Sequence, residues 1–283
     1  MNSGLRTLVG LLLMLIVCAS WAASGMDHVA SLFALGSSAR ALGLGDAFCA
    51  QADLGTGVWY NPAGLAWDEH ITLASFLARD FGAISYGSVT FALPYIAVGV
   101  TQLDSGDIPL RNGTLRYTSR ALVGGAGLRL GPVSLGIRGK LYALSAPDSA
   151  NGWAVDPALL LVTDIVRIGM VWENAWSEPI RYSDGHVEAW VPSLTAGASA
   201  SLGLTSDVRW VVALAGRHVF AVSPTLHAGV ELWIGPLAVR AGYDGDSVTF
   251  GLGVEFSSYA LDWAYAEHGD LGDAHRVSLT FRF

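Results

Sequence analysis

The feature that most constrains this chain is a regular alternation of apolar and polar side chains in short segments after residue 69. Between 247 and 256, one face carries only large apolar side chains, and the other carries small or polar ones. The same division recurs in 132–144, 207–216 and 258–266. Because successive side chains of a strand point to opposite faces, each segment predicts a strand with one continuous, uncharged apolar row.

Fourteen segments read as strands of this kind, most of them with the nine to eleven residues that a tilted membrane strand needs. They cover 70–78, 83–93, 95–104, 118–130, 132–144, 152–161, 164–174, 191–202, 207–216, 225–233, 236–243, 247–256, 258–266 and 274–283. The faces of 83–93 are ambiguous from the sequence. We therefore expect an all-β, antiparallel, up-and-down transmembrane barrel over residues 69–283.

The charged residues of these segments fall opposite the apolar rows, which has a physical cause. Arg or Lys facing lipid at mid-bilayer would cost about 2–4 kcal/mol. The pattern predicts a lumen lined by Arg129, Arg138, Lys140, Asp156, Arg167, Arg209, Glu231, Arg240, Glu255 and Asp262. A soluble β-sandwich or barrel also alternates and is the competing interpretation, but it would place its large apolar residues inside and its charge outside.

Composition supports the membrane interpretation. Hydrophobic residues make up 52% of the chain and charged residues only 14%, whereas soluble domains are about 25% charged. Beyond the N-terminus, no apolar run reaches the ~18 residues of a transmembrane helix. A chain this apolar without membrane helices can place every second side chain against lipid in a barrel.

The lengths of the connections alternate as they do in outer-membrane barrels, which have short periplasmic turns and longer outer loops. The longer connections are predicted at 105–117, 145–151, 175–190, 217–224 and 267–273, while 79–82 and 244–246 are short exceptions. An even strand count would place both ends of the barrel on the periplasmic side.

Both ends of the sequence indicate export to a bacterial outer membrane. Residues 1–23 have the basic start, apolar stretch and small-residue cleavage site of a signal peptide. An uncleaved membrane helix and a lipoprotein attached at Cys18 are the alternatives. The last segment alternates up to Phe281 and Phe283, and resembles the signal that the barrel assembly machinery recognises.

Residues 24–68 are small and polar in character and do not read as strands. A fourteen-stranded barrel is wide enough to need filling, so we expect this segment to lie in the lumen as a hatch or plug. Once the signal peptide is removed, Cys49 is the single cysteine. It cannot form an intrachain disulfide, and we expect it to be a small buried residue.

Two motifs in this segment resemble a known family. An Ala-Arg-Ala-Leu-Gly-Leu-Gly-Asp run is followed by Asn-Pro-Ala-Gly, and the residues that carry the likeness are Arg40, Gly43, Gly45, Asp46, Asn61, Pro62 and Gly64. The chain resembles PorV/PorQ-type outer-membrane proteins, which belong with the FadL-like hydrophobic-substrate channels. That resemblance implies a fourteen-stranded barrel with an N-terminal hatch. The chain is much shorter than the fatty-acid channels.

No catalytic, metal-binding or phosphate-binding pattern is present in the sequence, so we expect no enzyme activity, no cofactor and no nucleic-acid partner. The leading hypothesis is a passive channel for small hydrophobic or amphipathic molecules, gated by the hatch and surrounded by outer-membrane lipid. The predicted lumen is mostly basic, which would attract an anionic amphipathic ligand, unless its charges pair with one another and with the hatch. A non-transporting barrel that docks secretion-system components and a soluble secreted β protein are the alternatives.

Overall fold

The computed structural model describes residues 31–33, 35–53, 55–80, 84–111, 113–145, 149–219, 224–268 and 272–283. The predicted signal peptide, 1–23, and the beginning of the predicted hatch, 24–30, lie outside the described residues. Within them, no helix is long and apolar enough to cross a membrane.

Sixteen strands are present in the described part of the chain, and the sequence predicted fourteen of them in order. They are β1 (Thr72–Asp80), β2 (Ile84–Leu93), β3 (Ile96–Leu110), β4 (Gly113–Leu130), β5 (Val133–Ser145), β6 (Ser149–Val162), β7 (Val166–Glu173), β8 (Trp176–Tyr182), β9 (Val187–Glu188), β10 (Ser193–Gly203), β11 (Val208–Val219), β12 (Thr225–Ile234), β13 (Leu237–Tyr243), β14 (Val248–Glu255), β15 (Tyr259–His268) and β16 (Gly272–Arg282).

Fourteen of these strands close into an antiparallel barrel. Each pairs with its neighbour in the chain, except that β7 pairs with β10 and β1 pairs with β16 to close the ring. Thr72 lies opposite Arg282, and Asp80 lies opposite Ala274, so the closing pair is in register along the whole of β1. The predicted fold class, an all-β fourteen-stranded barrel, is confirmed.

The predicted long connections were partly wrong. Strands β3 and β4 continue as a hairpin through most of 105–117, past a register shift between Asp104 and Asp107. The described residues of 145–151 belong to strands, since β5 and β6 remain paired as far as Ser145 and Ser149. The wall on this side of the barrel is therefore extended beyond the predicted loops.

Segment 175–190 was predicted as a loop but contains β8 and β9. Strand β8 pairs with β6 beyond the stretch of β6 that pairs with β7. Residues 174 and 175 separate β7 from β8, and Asn174 adopts φ 55°. The two strands thus act as one bent strand along β6, and β9 adds a short pairing to β8. The apolar alternation of β8 was too weak in sequence to identify it.

The two faces of the wall differ as the alternation predicted. Large apolar side chains such as Leu77, Leu141 and Phe250 are 70%, 56% and 51% exposed on the outer face. The inner face is largely buried and carries many small or polar side chains together with larger ones such as Phe76 and Leu160. In β2, whose faces were ambiguous, Tyr86 and Ser88 are buried and face inward.

The described residues before β1 form short helical turns rather than strands, as predicted. They are η1 (Ser31–Phe33), α1 (Ala39–Gly43), α2 (Gly57–Tyr60) and η2 (Pro62–Trp67). We call the described part of residues 31–68 the inner segment. Its contacts with the barrel determine what the structure can do.

Candidate functional site

The inner segment crosses the interior of the barrel and contacts opposite walls. Its helix α1 packs against β13, β14, β15 and β16, while η2 packs against β4, β5 and β6. A Cβ placed on Gly136 of β5 would lie 2.1 Å from the backbone nitrogen of Ala63. The backbones therefore touch where the wall lacks side chains, which gives the wall glycines a packing role.

Helix α1 begins at Ser38, whose hydroxyl accepts a hydrogen bond from the backbone N–H of Ala41 and caps the helix. Its exit requires left-handed backbone at Gly45, with φ 64°, and at Asp46, with φ 61°. A Cβ on Gly45 would lie 2.3 Å from the carbonyl oxygen of Tyr243. Only glycine satisfies both the conformation and the space there. Gly43 likewise lies against Gly251.

The Asn-Pro-Ala-Gly motif forms the start of η2. The Asn61 side chain accepts a hydrogen bond from Ala63 N–H at 3.0 Å and caps this turn, with Pro62 at its first position. Its amide also donates to the carbonyl of Leu159 on β6 at 3.2 Å. Gly64 is fully enclosed, since a Cβ there would lie 2.4 Å from the Ala52 carbonyl oxygen. The motif thus joins two parts of the inner segment to the wall.

Arg40 links the inner segment to β12 and β13 through a buried ion network. It donates to Glu231 through Nε and Nη2, both at 2.9 Å, and to Asp53 through Nη1. Arg240 contacts the same Glu231 carboxylate at 2.6 Å and Asp262 at 2.7 Å. Burial alone would lower the pKa of Arg40, but the Asp53 and Glu231 carboxylates outweigh it and hold the pKa well above its ordinary value.

A second buried network lies on the opposite wall. Arg138 contacts the Asp156 carboxylate at 2.5 Å and that of Glu173 at 3.3 Å. Lys140 contacts Asp156 at 2.9 Å. The Arg138 guanidinium also donates to the backbone carbonyls of Val58 and Trp59 in the inner segment. Both networks therefore join the wall to the same segment.

The other predicted lumen residues lie at the end of the barrel that carries the short turns. Arg129 stacks on Trp67 of the inner segment, with its guanidinium carbon 3.6 Å from the ring centroid. Arg209 is exposed over the ring of Trp233, 5.3 Å from its centroid. Glu255 pairs with Arg282 at 2.8 Å, and Arg167 is half-buried at the start of β7. These four are not part of either buried network.

Two charged residues that extend the second network, Glu173 and Arg217, were not among the predicted lumen residues. They form an ion pair at 3.1 Å, which joins β7 to β11. Alternation could have found both, because Glu173 continues the row of Arg167 and Arg217 continues the row of Arg209. Arg217 was missed because the predicted strand ended at 216, whereas β11 continues to Val219.

Two titratable groups of the inner segment are shifted by burial. Burial raises the pKa of Asp46 from 3.8 to about 6, although the nearby His227 and Arg217 act in the opposite direction. Burial raises the pKa of the Cys49 thiol from 9.0 to about 12. A thiol that resists ionisation is a poor nucleophile. The described residues contain no cluster of three or more His, Cys, Asp or Glu that could bind a metal ion.

The interior space beside the inner segment is small. One cavity, between Asp46, Tyr60 and Arg217, holds about 50 Å³, and another, beside Arg40 and Trp233, holds about 20 Å³. These volumes accommodate about one or two water molecules. Neither is large enough for a hydrocarbon ring. A larger space of about 540 Å³, lined by Arg209, Trp233 and Glu255 among others, lies at the end of the barrel that carries the short turns.

Comparisons with known proteins agree on the fold. The CymD monoaromatic hydrocarbon channel superposes with a TM-score of 0.56 at 13% identity, covering 88% of this chain and 98% of that one. The P. putida toluene transporter TodX gives 0.54 at 12% identity, covering 88% and 99%. No protein-family model and no curated protein sequence matches the chain. The barrel shares the fold of these two structures, while the PorV/PorQ part of the resemblance gains no support.

Proposed function

We propose that this protein is a passive channel for small hydrophobic molecules in a bacterial outer membrane, and that the inner segment is its gate. The observation that carries the proposal is the pinning of the inner segment to opposite walls. Arg40 holds it to Glu231, and Arg138 holds its carbonyls from the other side. Because the cavities at Asp46 and at Arg40 are so small, passage beside the inner segment requires this segment to move.

The outer face of the barrel supports the membrane location. Side chains such as Leu128, Val239 and Leu252 are more than half exposed, at 59%, 54% and 52%. Soluble monomers rarely expose contiguous apolar patches larger than a few hundred Å², so a soluble β protein does not account for this surface. Export by a cleaved signal peptide and assembly through the terminal Phe281 and Phe283 belong to the same proposal.

The interior favours a neutral hydrophobic cargo over an anionic one. The predicted basic lumen residues Arg138, Lys140 and Arg240 each contact a carboxylate in the structure. Each of these three positive charges is thus paired with a carboxylate of the protein itself. The superposed structures are those of the monoaromatic hydrocarbon channel CymD and the toluene transporter TodX, and we extend that class of small apolar molecule to this chain.

A reversible lock on the inner segment tests the proposal. The backbone nitrogen of Ala39 lies 2.7 Å from the Ser278 hydroxyl on β16, which places the two Cα atoms within about 6.6 Å, inside disulfide range. We would make Ala39→Cys with Ser278→Cys and measure uptake of a radiolabelled small aromatic hydrocarbon by cells with an intact outer membrane.

Uptake should exceed that of cells without the protein, fall to their level when the disulfide forms, and return on reduction. Each single cysteine variant is the matched control and should transport in both redox states. Uptake that is unaffected by the disulfide would show that the inner segment does not gate transport. Recovery of the protein outside the membrane fraction would refute the proposed location.

A further inference from the structure

The space at the end of the barrel that carries the short turns lies inside the wall. It is lined by the turn residues Ser206, Gly235 and Ser257 and by the side chains of Trp233 and Glu255. These two side chains belong to the inward-facing rows of β12 and β14. The space of about 540 Å³ is therefore the mouth of the lumen, and we call it the vestibule.

The vestibule meets the small cavity beside Arg40 at two side chains. Trp233 and Glu255 line both the vestibule and this cavity of about 20 Å³. Glu255 is held at the wall by Arg282, 2.8 Å away. Trp233 is only 6% exposed, and its indole is the larger of the two groups. Trp233 is thus the main barrier between the inner segment and the vestibule.

Four contacts hold the Trp233 indole in this position. Its N–H donates to Glu231 at 2.6 Å. The guanidinium carbons of Arg40, Arg209 and Arg240 lie 5.9, 5.3 and 5.5 Å from its ring centroid, within the range of cation–π attraction. Because Arg40 belongs to the inner segment, release of that segment removes one of these contacts and leaves the ring less restrained.

We propose that Trp233 is the size-selecting constriction of the channel, and that cargo leaves the barrel past it, through the vestibule, into the periplasm. This inference rests on the proposed channel function and names the residue that limits its substrates. An indole that turns aside clears a passage of about its own size. A molecule with one aromatic ring therefore passes, whereas larger fused hydrocarbons are excluded. The indole also offers cargo an apolar surface between the charged groups of Arg209 and Glu255.

A thiol placed behind Trp233 tests the barrier without depending on transport. Thr280 lines the cavity beside Arg40 and is 6% exposed, so Thr280→Cys supplies this thiol. We would measure its reaction with a small methanethiosulfonate reagent by mass spectrometry, in purified, folded protein that also carries Cys49→Ala. Trp233→Ala leaves a gap and should raise the rate about tenfold or more. Trp233→Phe loses the same hydrogen bond but keeps a ring, and should raise the rate little.

The matched control is Trp210→Ala on the neighbouring strand β11. Trp210 lies opposite Leu232, but it faces outward and is 38% exposed, so its removal should not change the thiol rate. An unchanged rate in Trp233→Ala would overturn the inference. An equal rise in Trp210→Ala would do the same, because it would show a general loosening of the barrel.

Uptake by cells tests the size limit. The probes are radiolabelled toluene and phenanthrene, each compared with cells that lack the protein. Wild type should favour toluene, and Trp233→Ala should raise the relative uptake of phenanthrene about tenfold or more, while Trp210→Ala should not. If uptake responds to the disulfide between positions 39 and 278 but Trp233→Ala keeps the wild-type preference, the exit path is refuted and the channel stands. Uptake of neither probe by wild type would count against the channel itself.

Discussion

The guanidinium of Arg40 donates two hydrogen bonds of 2.9 Å to the carboxylate of Glu231, which lies 191 residues further along the chain. Glu231 is fully buried and also accepts from Arg240 and from the Trp233 indole. One carboxylate thus gathers three donors, of which only Arg40 belongs to the inner segment. This bond joins the segment to β12.

Arg40→Gln should loosen the inner segment and leave the barrel folded. Removing one partner of a buried ion pair typically costs about 3–5 kcal/mol, although Arg240 still neutralises Glu231 here. We expect faster hydrogen exchange at backbone amides 41–48, with unchanged exchange in β12 and β13. Arg116→Gln, which removes an exposed ion pair, should change neither. Exchange that is unaltered by Arg40→Gln would show that the contact does not hold the segment.

Glycine positions on β5 provide a test of backbone contact. Gly136→Ala introduces a Cβ 2.1 Å from Ala63 N, whereas a Cβ on Gly139 meets its nearest atom at 4.0 Å. Gly136→Ala should displace η2 and lower the temperature at which the inner segment undocks from the barrel, while Gly139→Ala should resemble wild type. Proteolysis of the segment in folded, detergent-solubilised barrels measures this difference. Equal protection in the two variants would contradict the packing described.

Asp46 should make docking of the inner segment depend on pH. Its pKa is about 6 when docked, against 3.8 ordinarily, so the docked state binds the proton more strongly. Docking stability is therefore fully present below about pH 4 and falls as pH rises through about 6, by an amount on the order of 2–3 kcal/mol. His227, Arg217, Glu173 and Asp244 are the charged and titratable neighbours that influence this carboxyl.

Asp46→Asn isolates that contribution, because asparagine also tolerates the left-handed backbone at this position. Between pH 4 and 7, protease protection of the inner segment should decline in wild type and stay nearly level in the variant. An identical decline in both proteins would assign the pH dependence to another group.

Cys49 reports on the same docking. It is buried, and its thiol pKa is about 12, so alkylation of the docked protein by a maleimide at pH 7 should be slow. In Arg40→Gln, the released thiol should react at least tenfold faster, since an exposed cysteine has a pKa near 8.5. Intact-protein mass spectrometry measures the rate. Rapid labelling of wild type would mean that the segment is not held as described.

The barrel could be predicted from the sequence because alternation is a local property of each strand. Val248, Phe250 and Leu252 identify a membrane-facing row without reference to any other strand. Strand β8 could not be predicted, since a register shift against β6 between Asn151 and Trp153 interrupts its alternation, and Glu178 and Arg181 lie opposite outward-facing residues of β6. Its pairing with β6 depends on the bend at Asn174.

The site was predicted only in part, because pairing between distant residues leaves no local pattern. Arg40 was identified by its motif and Glu231 by its position opposite an apolar row, but nothing in the sequence joined the two. The same applies to Arg138 and Glu173, which belong to different strands and meet across the lumen side of the wall. The sequence therefore allowed the alternative that the lumen charges pair with one another and with the hatch, but it could not name the pairs.

The most direct test of the account is conductance across a planar bilayer after insertion of wild-type protein or Arg40→Gln. If the inner segment closes the barrel, wild type should show almost no conductance, and Arg40→Gln should show discrete openings that disappear under the Ala39→Cys and Ser278→Cys disulfide. The account would be contradicted if wild type and Arg40→Gln conducted equally although hydrogen exchange showed that the inner segment is released only in the variant.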